Sequence, residues 1–296
     1  MTFLITIPTH NEEKNILFCL ESLKNQLFNN YEIVIVNDGS TDHTKQIIEN
    51  FIEDLTENFA SKFKLINLAV SAHEPGAKVV RTFNKGMQAV RVEDFDVICK
   101  FDADIVFPEN YLFELNKIYE TNPKAGMVSG LVRIKKSVFE KRLAFDFKND
   151  NHWFFENISS KNHVRGPIKS YRRQCFEQMN GLRPVLGWDN IDVMLAKMHG
   201  WEVVTIKNLW VKHLRPTAYK YKNQKAEKLG EYFYNIGLSF PLTIISSAKS
   251  SLKNRSIAEF LITMRSFMKQ NGKRELSKEE IKFIRNLRWR EMLNKK

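Results

Sequence analysis

What most limits the fold of this chain is the alternation of short β-branched runs with helix-patterned segments through its first hundred residues. "FLITIPT" (3–9), "EIVIVND" (32–38), "KLINLAV" (64–70) and "DVICKFDAD" (96–104) are apolar stretches of strand length. Between the first two, "EEKNILFCLESLKNQ" puts Ile16, Leu17, Leu20, Leu23 and Leu27 on one helical face, and a second helix is expected around 75–91. Strands this uniformly apolar are covered on both faces, so the pattern predicts an α/β fold: a doubly wound, mixed but mostly parallel sheet with helices on both faces. Ligands of such sheets bind beyond the carboxyl ends of the strands. The polar motifs "PTHNEE", "NDGSTD" and "DAD" all fall at those ends.

From about residue 125 the rhythm loosens. Strands are expected at "GMVSGLVRI", "GPIKSYRR", "EVVTIKN" and "WVKHLR", with a helix over 189–199. After Pro216 the pattern is helical, with breaks at Pro241, near Ser251–Ser256, and at "NGKRELSKEE", where Ser277 and Glu280 are spaced as a capping box. The net charge of +12 is unevenly spread: residues 1–209 carry 26 Lys+Arg against 27 Asp+Glu, and residues 210–296 carry 20 against 7. A near-neutral body with a basic helical extension follows, the extension suited to an anionic surface. The three cysteines are too far apart for a zinc motif and point to a reducing compartment. No run is long and apolar enough to span a bilayer, and the first residues lack the basic start of a signal peptide.

The stretch "CKFDADIVFP" sets Asp102 and Asp104 one residue apart in an otherwise apolar segment. Two like charges so placed repel unless a cation relieves them, and a hard divalent ion such as Mg²⁺ or Mn²⁺ suits carboxylate oxygens. A plain polar turn before Pro108 is the competing reading. Asp38 closes the second strand, where a carboxylate can accept hydrogen bonds from a base or a ribose; an ordinary strand-turn-helix junction accounts for the same residues. In "GWDNIDVMLAKMHGW", Asp189 and Asp192 fall three apart on a helix, either as acid–base groups or as helix-start carboxylates favoured by the dipole.

Taken together, "IPTHNEEKN", "VNDGSTD", "RTFNKG" and "FDADIVFP" resemble a family 2 glycosyltransferase of the GT-A fold over roughly residues 1–215. The resemblance implies an inverting, metal-dependent transfer of a sugar from a nucleotide diphosphate donor, UDP-type favoured, to a glycan or lipid-linked acceptor. It implies nucleotide binding by Pro8, Thr9, Glu12, Asp38, Arg81 and Asp102, and Mn²⁺ or Mg²⁺ held by Asp104 and His213. Arg215 is assigned to the diphosphate. Asp189, with Asp192 second, is the expected general base, although this chain has Asp-Asn where the family commonly has Glu-Asp. The implied organisation is a transferase domain over 1–215, with a nucleotide-binding half (1–110) and an acceptor half (111–215), followed by a basic helical region (216–296). With the tail, it suggests cell-surface polysaccharide or glycolipid synthesis by a cytoplasmic protein in peripheral contact with the inner face of an anionic membrane.

Two other classes fit less well. A sugar nucleotidyltransferase calls for a Gly-rich basic loop after the first strand, which "PTHNEEKN" is not. A nucleic-acid binder would use the basic tail, yet apolar residues interrupt its charge and its aromatics form no stacking platform, so no nucleic-acid partner is expected. "HWFFEN" (152–157) reads as a hydrophobic anchor or an acceptor loop. In the tail, Phe260, Met264, Phe267 and Met268, then Ile281, Ile284 and Leu287, mark apolar faces that either pack on the body or meet a lipid surface.

Overall fold

The computed structural model describes residues 1–72, 74–135, 147–156, 161, 163–215 and 224–293. Its first half runs β1 (Phe3–Thr9), α1 (Ile16–Lys24), β2 (Tyr31–Asp38), α2 (Thr44–Glu53), α3 (Glu57–Ala60), β3 (Phe63–Leu68), α4 (Ala77–Met87), β4 (Val97–Phe101), β5 (Ile105–Val106) and α5 (Tyr111–Thr121). The second half runs β6 (Ala125–Lys135), β7 (Trp153–Phe155), β8 (Ile168–Arg172), α6 (Arg173–Gln178), α7 (Trp188–Met198) and β9 (Glu202–His213). Four helices follow: α8 (Lys225–Asn235), α9 (Phe240–Asn254), α10 (Ile257–Lys269) and α11 (Lys278–Leu293).

The described strands form one nine-stranded sheet in the order β3-β2-β1-β4-β8-β6-β9-β5, with β7 beside β6. β3, β2, β1 and β4 are parallel, β8 is antiparallel to both β4 and β6, and β6 and β9 are again parallel. The carboxyl ends of β1, β2, β4 and β9 therefore open on the same side. "EVVTIKN" and "WVKHLR" are one strand, not two: β9 pairs with β6 at Glu202–Thr205 and again at Trp210–His213, with register shifts between Ala125 and Met127 and between Ser129 and Leu131.

Alternating strand residues feed two cores. Phe3, Ile5 and Ile7 pack with α1, α2 and α5; Leu4, Val34 and Val36 face α4 and α7. Each fully buried aliphatic side chain is worth roughly 1.5–3 kcal/mol, so both helix layers are firmly held. On α1 the inward positions are Ile16, Cys19, Leu20 and Leu23, while Leu17 and Leu27 are exposed. The 3.6-residue turn puts Cys19 where Leu17 was expected, and Leu27 lies past the end of the helix. All three cysteines are free and buried.

The C-terminal helices begin and end where the sequence placed their breaks. Pro241 sits in the first turn of α9, and Ser277 and Glu280 exchange backbone N–H bonds of 3.2 and 2.7 Å as a capping box. Phe233, Ile236, Leu242 and Ile284 enter the same buried cluster as α7, so the described part of this region is continuous with the body. Met264 is buried and Phe267 packs on that cluster, but Met268 faces outward.

Candidate active site

The loops after β1 and β2 are stitched together. His10 Nδ1 lies 2.7 Å from the Asp38 carbonyl, the Thr41 N–H donates to Asn11 Oδ1 (2.8 Å), and the Glu12 N–H donates to Thr44 Oγ1 (2.7 Å). The turn between them needs Gly39: its φ is +60°, and a Cβ there would sit 2.6 Å from the Val70 Cα. "PTHNEE" and "NDGSTD" thus form one rigid rim at the sheet edge.

Behind this rim an open cleft of about 550 Å³ is walled by Pro8, Thr9, Asp38, Gly76, Lys78 and Thr82. Asp38 accepts from Thr82 Oγ1 (2.9 Å) and lies 3.4 Å from Lys78 Nζ. Arg81, expected here, does not line the cleft itself but pairs with Glu74, which does. Lys78 and Thr82 are four residues apart and so share the helix face that meets the strand end; that spacing was the signal available in the sequence.

The acidic stretch after β4 is neutralised by the chain's own cations. Lys100, nearly buried, pairs with Asp102 and lies 5.1 Å from the Trp188 ring. Asp104 is buried; its Oδ1 is 3.5 Å from His213 Nε2 and its Oδ2 is 3.2 Å from Arg215. Arg215 also pairs with Glu12, so Glu12, Asp104, His213 and Arg215 form one cluster assembled from three strand ends. Burial and the neighbouring Asp104 charge push the Glu12 carboxyl up, against the pull of Asn15 and Arg215. Burial alone would raise Asp104 as well, but His213 and Arg215 outweigh it and hold that carboxyl below its usual range. For His213, burial opposes charge, yet Asp104 and Glu156 prevail and lift the imidazole to about 9. Glu156, itself bonded to Arg165 at 2.5 Å, stands 3.5 Å behind His213 Nδ1. Neither Lys100 nor Glu156 was singled out in the sequence; a lone lysine inside the apolar run "VICKF" was the available sign for the first.

Asp104 and His213 present one carboxylate and one imidazole with donor atoms 3.5 Å apart. Two ligands each about 2.1 Å from an octahedral ion stand about 3 Å apart, so the pair fits a divalent cation with little adjustment. Among the described residues no group of three or more His, Cys, Asp or Glu could hold such an ion. Two protein ligands leave the other positions of such an ion open to water or phosphate oxygens. The Glu156 carboxylate behind His213 is the partner expected for orienting a ligating imidazole.

On α7 the two candidate carboxylates have parted. Asp192 is buried, bonded to Lys169 Nζ (2.7 Å) and the Tyr171 hydroxyl (2.6 Å), and burial dominates in pushing its carboxyl up. Asp189, in the first turn, is half-buried with its Oδ2 beside Gly166: a Cβ on that glycine would lie 3.4 Å away. Lys169 donates also to the Asp189 carbonyl at 2.5 Å, which fixes the helix start. Asp189 is thus the carboxylate the fold leaves accessible.

This architecture is that of known sugar-transferring enzymes. The chain superposes on the mannosyltransferase PcManGT from Pyrobaculum calidifontis, solved with GDP-Man and Mn²⁺, with a TM-score of 0.60 at 17% identity over 89% of this chain and 73% of that one. It superposes on S. aureus TarS 1–349 in complex with UDP-GlcNAc with a TM-score of 0.56 at 19% identity, over 90% and 81% of the two chains. In sequence, it is 29% identical over 129 residues to the poly-β-1,6-N-acetyl-D-glucosamine synthase of Staphylococcus epidermidis, covering 44% of this chain and 28% of the synthase. The chain spans about a quarter of the length of such curated relatives. The family profile described as "Glycosyl transferase family 2" matches residues 4–179, and the chain belongs to that family.

Proposed function

We propose that this protein transfers a sugar from a nucleotide diphosphate donor to an acceptor hydroxyl with inversion at the anomeric carbon. The observation that carries the reading is the convergence of Glu12, Asp104, His213 and Arg215 beside the Asp38 cleft, at the carboxyl ends of parallel strands. Pro8, Thr9 and Asp38, with Lys78, hold the nucleoside; Asp102 takes the ribose, and Arg215 turns from Glu12 and Asp104 to the diphosphate. Arg81, paired with Glu74 at the edge of the same cleft, reaches the base or phosphate by leaving that pair. Asp104 and His213 hold Mn²⁺ or Mg²⁺, which when bound supplies Lewis-acid stabilisation of charge on the departing diphosphate. Asp189 accepts the proton of the attacking hydroxyl from the side of the cleft opposite the leaving group, a role worth roughly 10²–10⁴-fold in rate.

The donor is of the UDP type, supported by the fold shared with TarS, and the acceptor is a glycan or a lipid-linked saccharide of a cell-surface polymer, supported by the named relatives. Residues 1–215 form the transferase unit, with the nucleotide held by 1–110 and the acceptor by 111–215, and 216–296 the basic extension. No described helix is long and apolar enough to cross a membrane; we place the protein in the cytoplasm, at the inner membrane face.

A panel of nucleotide sugars, assayed for hydrolysis with and without Mn²⁺, tests this reading. Metal-dependent release of UDP is expected, lost in Asp104→Asn. If no nucleotide diphosphate raises the melting temperature in saturating Mn²⁺ and no donor is turned over, the reading is wrong.

A further inference from the structure

The α9–α10 hairpin wears its amphipathicity inside out. On α9 the buried positions are Leu242 and three hydroxyl residues, Thr243, Ser247 and Ser251, while Phe240, Ile244, Ile245 and Leu252 face solvent. On α10, Thr263 and Met264 are buried, while Ile257, Leu261, Ile262 and Met268 are exposed. Leu252 and Ile257, at 78% and 80% exposure, flank the turn between the helices. A helix packed in water shows the reverse pattern, and an apolar surface spread over two adjacent helices marks an interaction site.

Charge says what the partner is. Residues 236–274 hold seven Lys and Arg and a single acid, Glu259, which is occupied in capping α10: its N–H donates to Ser256 and its side chain accepts from Asn254 at 2.7 Å. Beside the apolar face, between α9 and α11, lies a cleft of about 760 Å³ lined by Ser246, Lys249, Ser250, Lys253 and Arg288. Glu291 also lines it and pairs with Arg288 Nη1 at 3.1 Å, yet Arg288 Nε and Ser246 Oγ are buried there with no hydrogen-bond partner. Buried donors without partners are costly and mark a place where an acceptor belongs.

We propose that the outward face of the α9–α10 hairpin docks on an anionic phospholipid bilayer, its apolar residues entering the acyl boundary and the α9–α11 cleft receiving a lipid phosphate. A second copy of the chain would bring one basic face against another, whereas anionic lipid satisfies the exposed aliphatics, the lysines and the unpartnered donors together. The face is not the one the sequence suggested: of Phe260, Met264, Phe267 and Met268, only Met268 is prominently exposed. The C-terminal layer also rests on the start of α7, with Tyr232 against Gly187, so docking orients the helix that carries Asp189 relative to the membrane. The inference goes beyond the transfer reaction and does not depend on it.

Flotation of the full chain with vesicles of phosphatidylglycerol and phosphatidylcholine, against phosphatidylcholine alone, tests it without any donor. Binding to the anionic vesicles is expected, at least tenfold stronger than to neutral ones and weakened by salt. Leu252→Ser/Leu261→Ser should lower partition at least tenfold at every salt concentration. Lys249→Gln/Lys253→Gln should remove most of the preference for anionic vesicles while leaving the melting temperature and donor hydrolysis in free solution unchanged. Should the serine variant fail to fold, Arg265→Gln/Lys269→Gln, also on exposed positions, tests the same loss of preference. Equal binding to both vesicle types, or partition indifferent to these substitutions, overturns the proposal. So does a dimer in sedimentation that the serine variant abolishes, since the face then belongs to a second copy.

Discussion

Asp189 and Asp192 lie three residues apart, and replacing each by Asn should have opposite consequences. Asp192 is 1% exposed and is the counter-ion of Lys169, itself 0% exposed. Asp192→Asn leaves an ammonium buried beside a neutral amide, a class of change that costs about 3–5 kcal/mol. At roughly 2–4 °C per kcal/mol for a chain of this size, the melting temperature should fall by roughly 6–20 °C. Asp189 is half-buried, and no other side chain hydrogen-bonds its carboxylate among the contacts of the described residues, so Asp189→Asn should change stability by less than about 1 kcal/mol. Its effect should fall on turnover instead, by about 10²–10⁴-fold, with donor binding retained. Thermal melts paired with transfer kinetics at saturating donor measure both. The double variant Lys169→Met/Asp192→Leu, which removes both charges, should recover much of the stability lost in Asp192→Asn. If Asp189→Asn keeps full turnover while Asp192→Asn folds normally and is dead, the division drawn here between base and anchor is reversed.

Arg215→Ala should weaken nucleotide binding at least tenfold and also lower stability by about 1–3 kcal/mol, because it leaves the Glu12 and Asp104 carboxylates, 7% and 6% exposed, without that cation, the arginine's own 42% exposure keeping the loss below that of a fully buried pair; isothermal titration with UDP and Mn²⁺ measures the first. Gly86→Ala would place a methyl 2.4 Å from Thr6 Cγ2, forcing α4 off β1, with an expected cost of about 1–3 kcal/mol and a weaker nucleotide site through displaced Lys78 and Thr82; urea unfolding and the same titration report both. His163 is held near 4, chiefly by burial and then by the Lys169 charge, against an ordinary 6.5. The unfolded chain therefore takes up this proton first, so the stability this neutral ring confers is present above pH 6.5 and is lost as pH falls towards 4. After discounting for partial exposure, His163→Gln should flatten the acid limb of the melting curve in that window by about 2 kcal/mol.

The strand-and-helix order of the first hundred residues is local in origin. Runs such as "EIVIVND" cannot rest with one face in water, and the polar turns that end them must lie at strand tips, so Asp38, Asp104 and the "PTHNEE" loop could be placed on one edge from composition and period alone. The capping box at Ser277 and the break at Pro241 were legible for the same reason, since each is settled within four residues.

Other features depended on which residues distant segments bring together. Arg81 and Lys78 are equally basic and three apart, and only the seating of α4 on β1 and β2 decides that Lys78 meets Asp38 while Arg81 turns to Glu74. Asp189 and Asp192 share a helix, yet the burial of Lys169 from β8 draws one into the core and leaves the other half-buried in the first turn. The tail shows the same limit most clearly, because its helical period reveals that an apolar face exists but not which face finds a partner. Local sequence thus determined the elements and the chemistry available at their ends, through backbone sterics and hydrophobic period. The tertiary structure decided which charges are neutralised, which are buried and which remain free to act, because pairing and desolvation are set by neighbours far away along the chain.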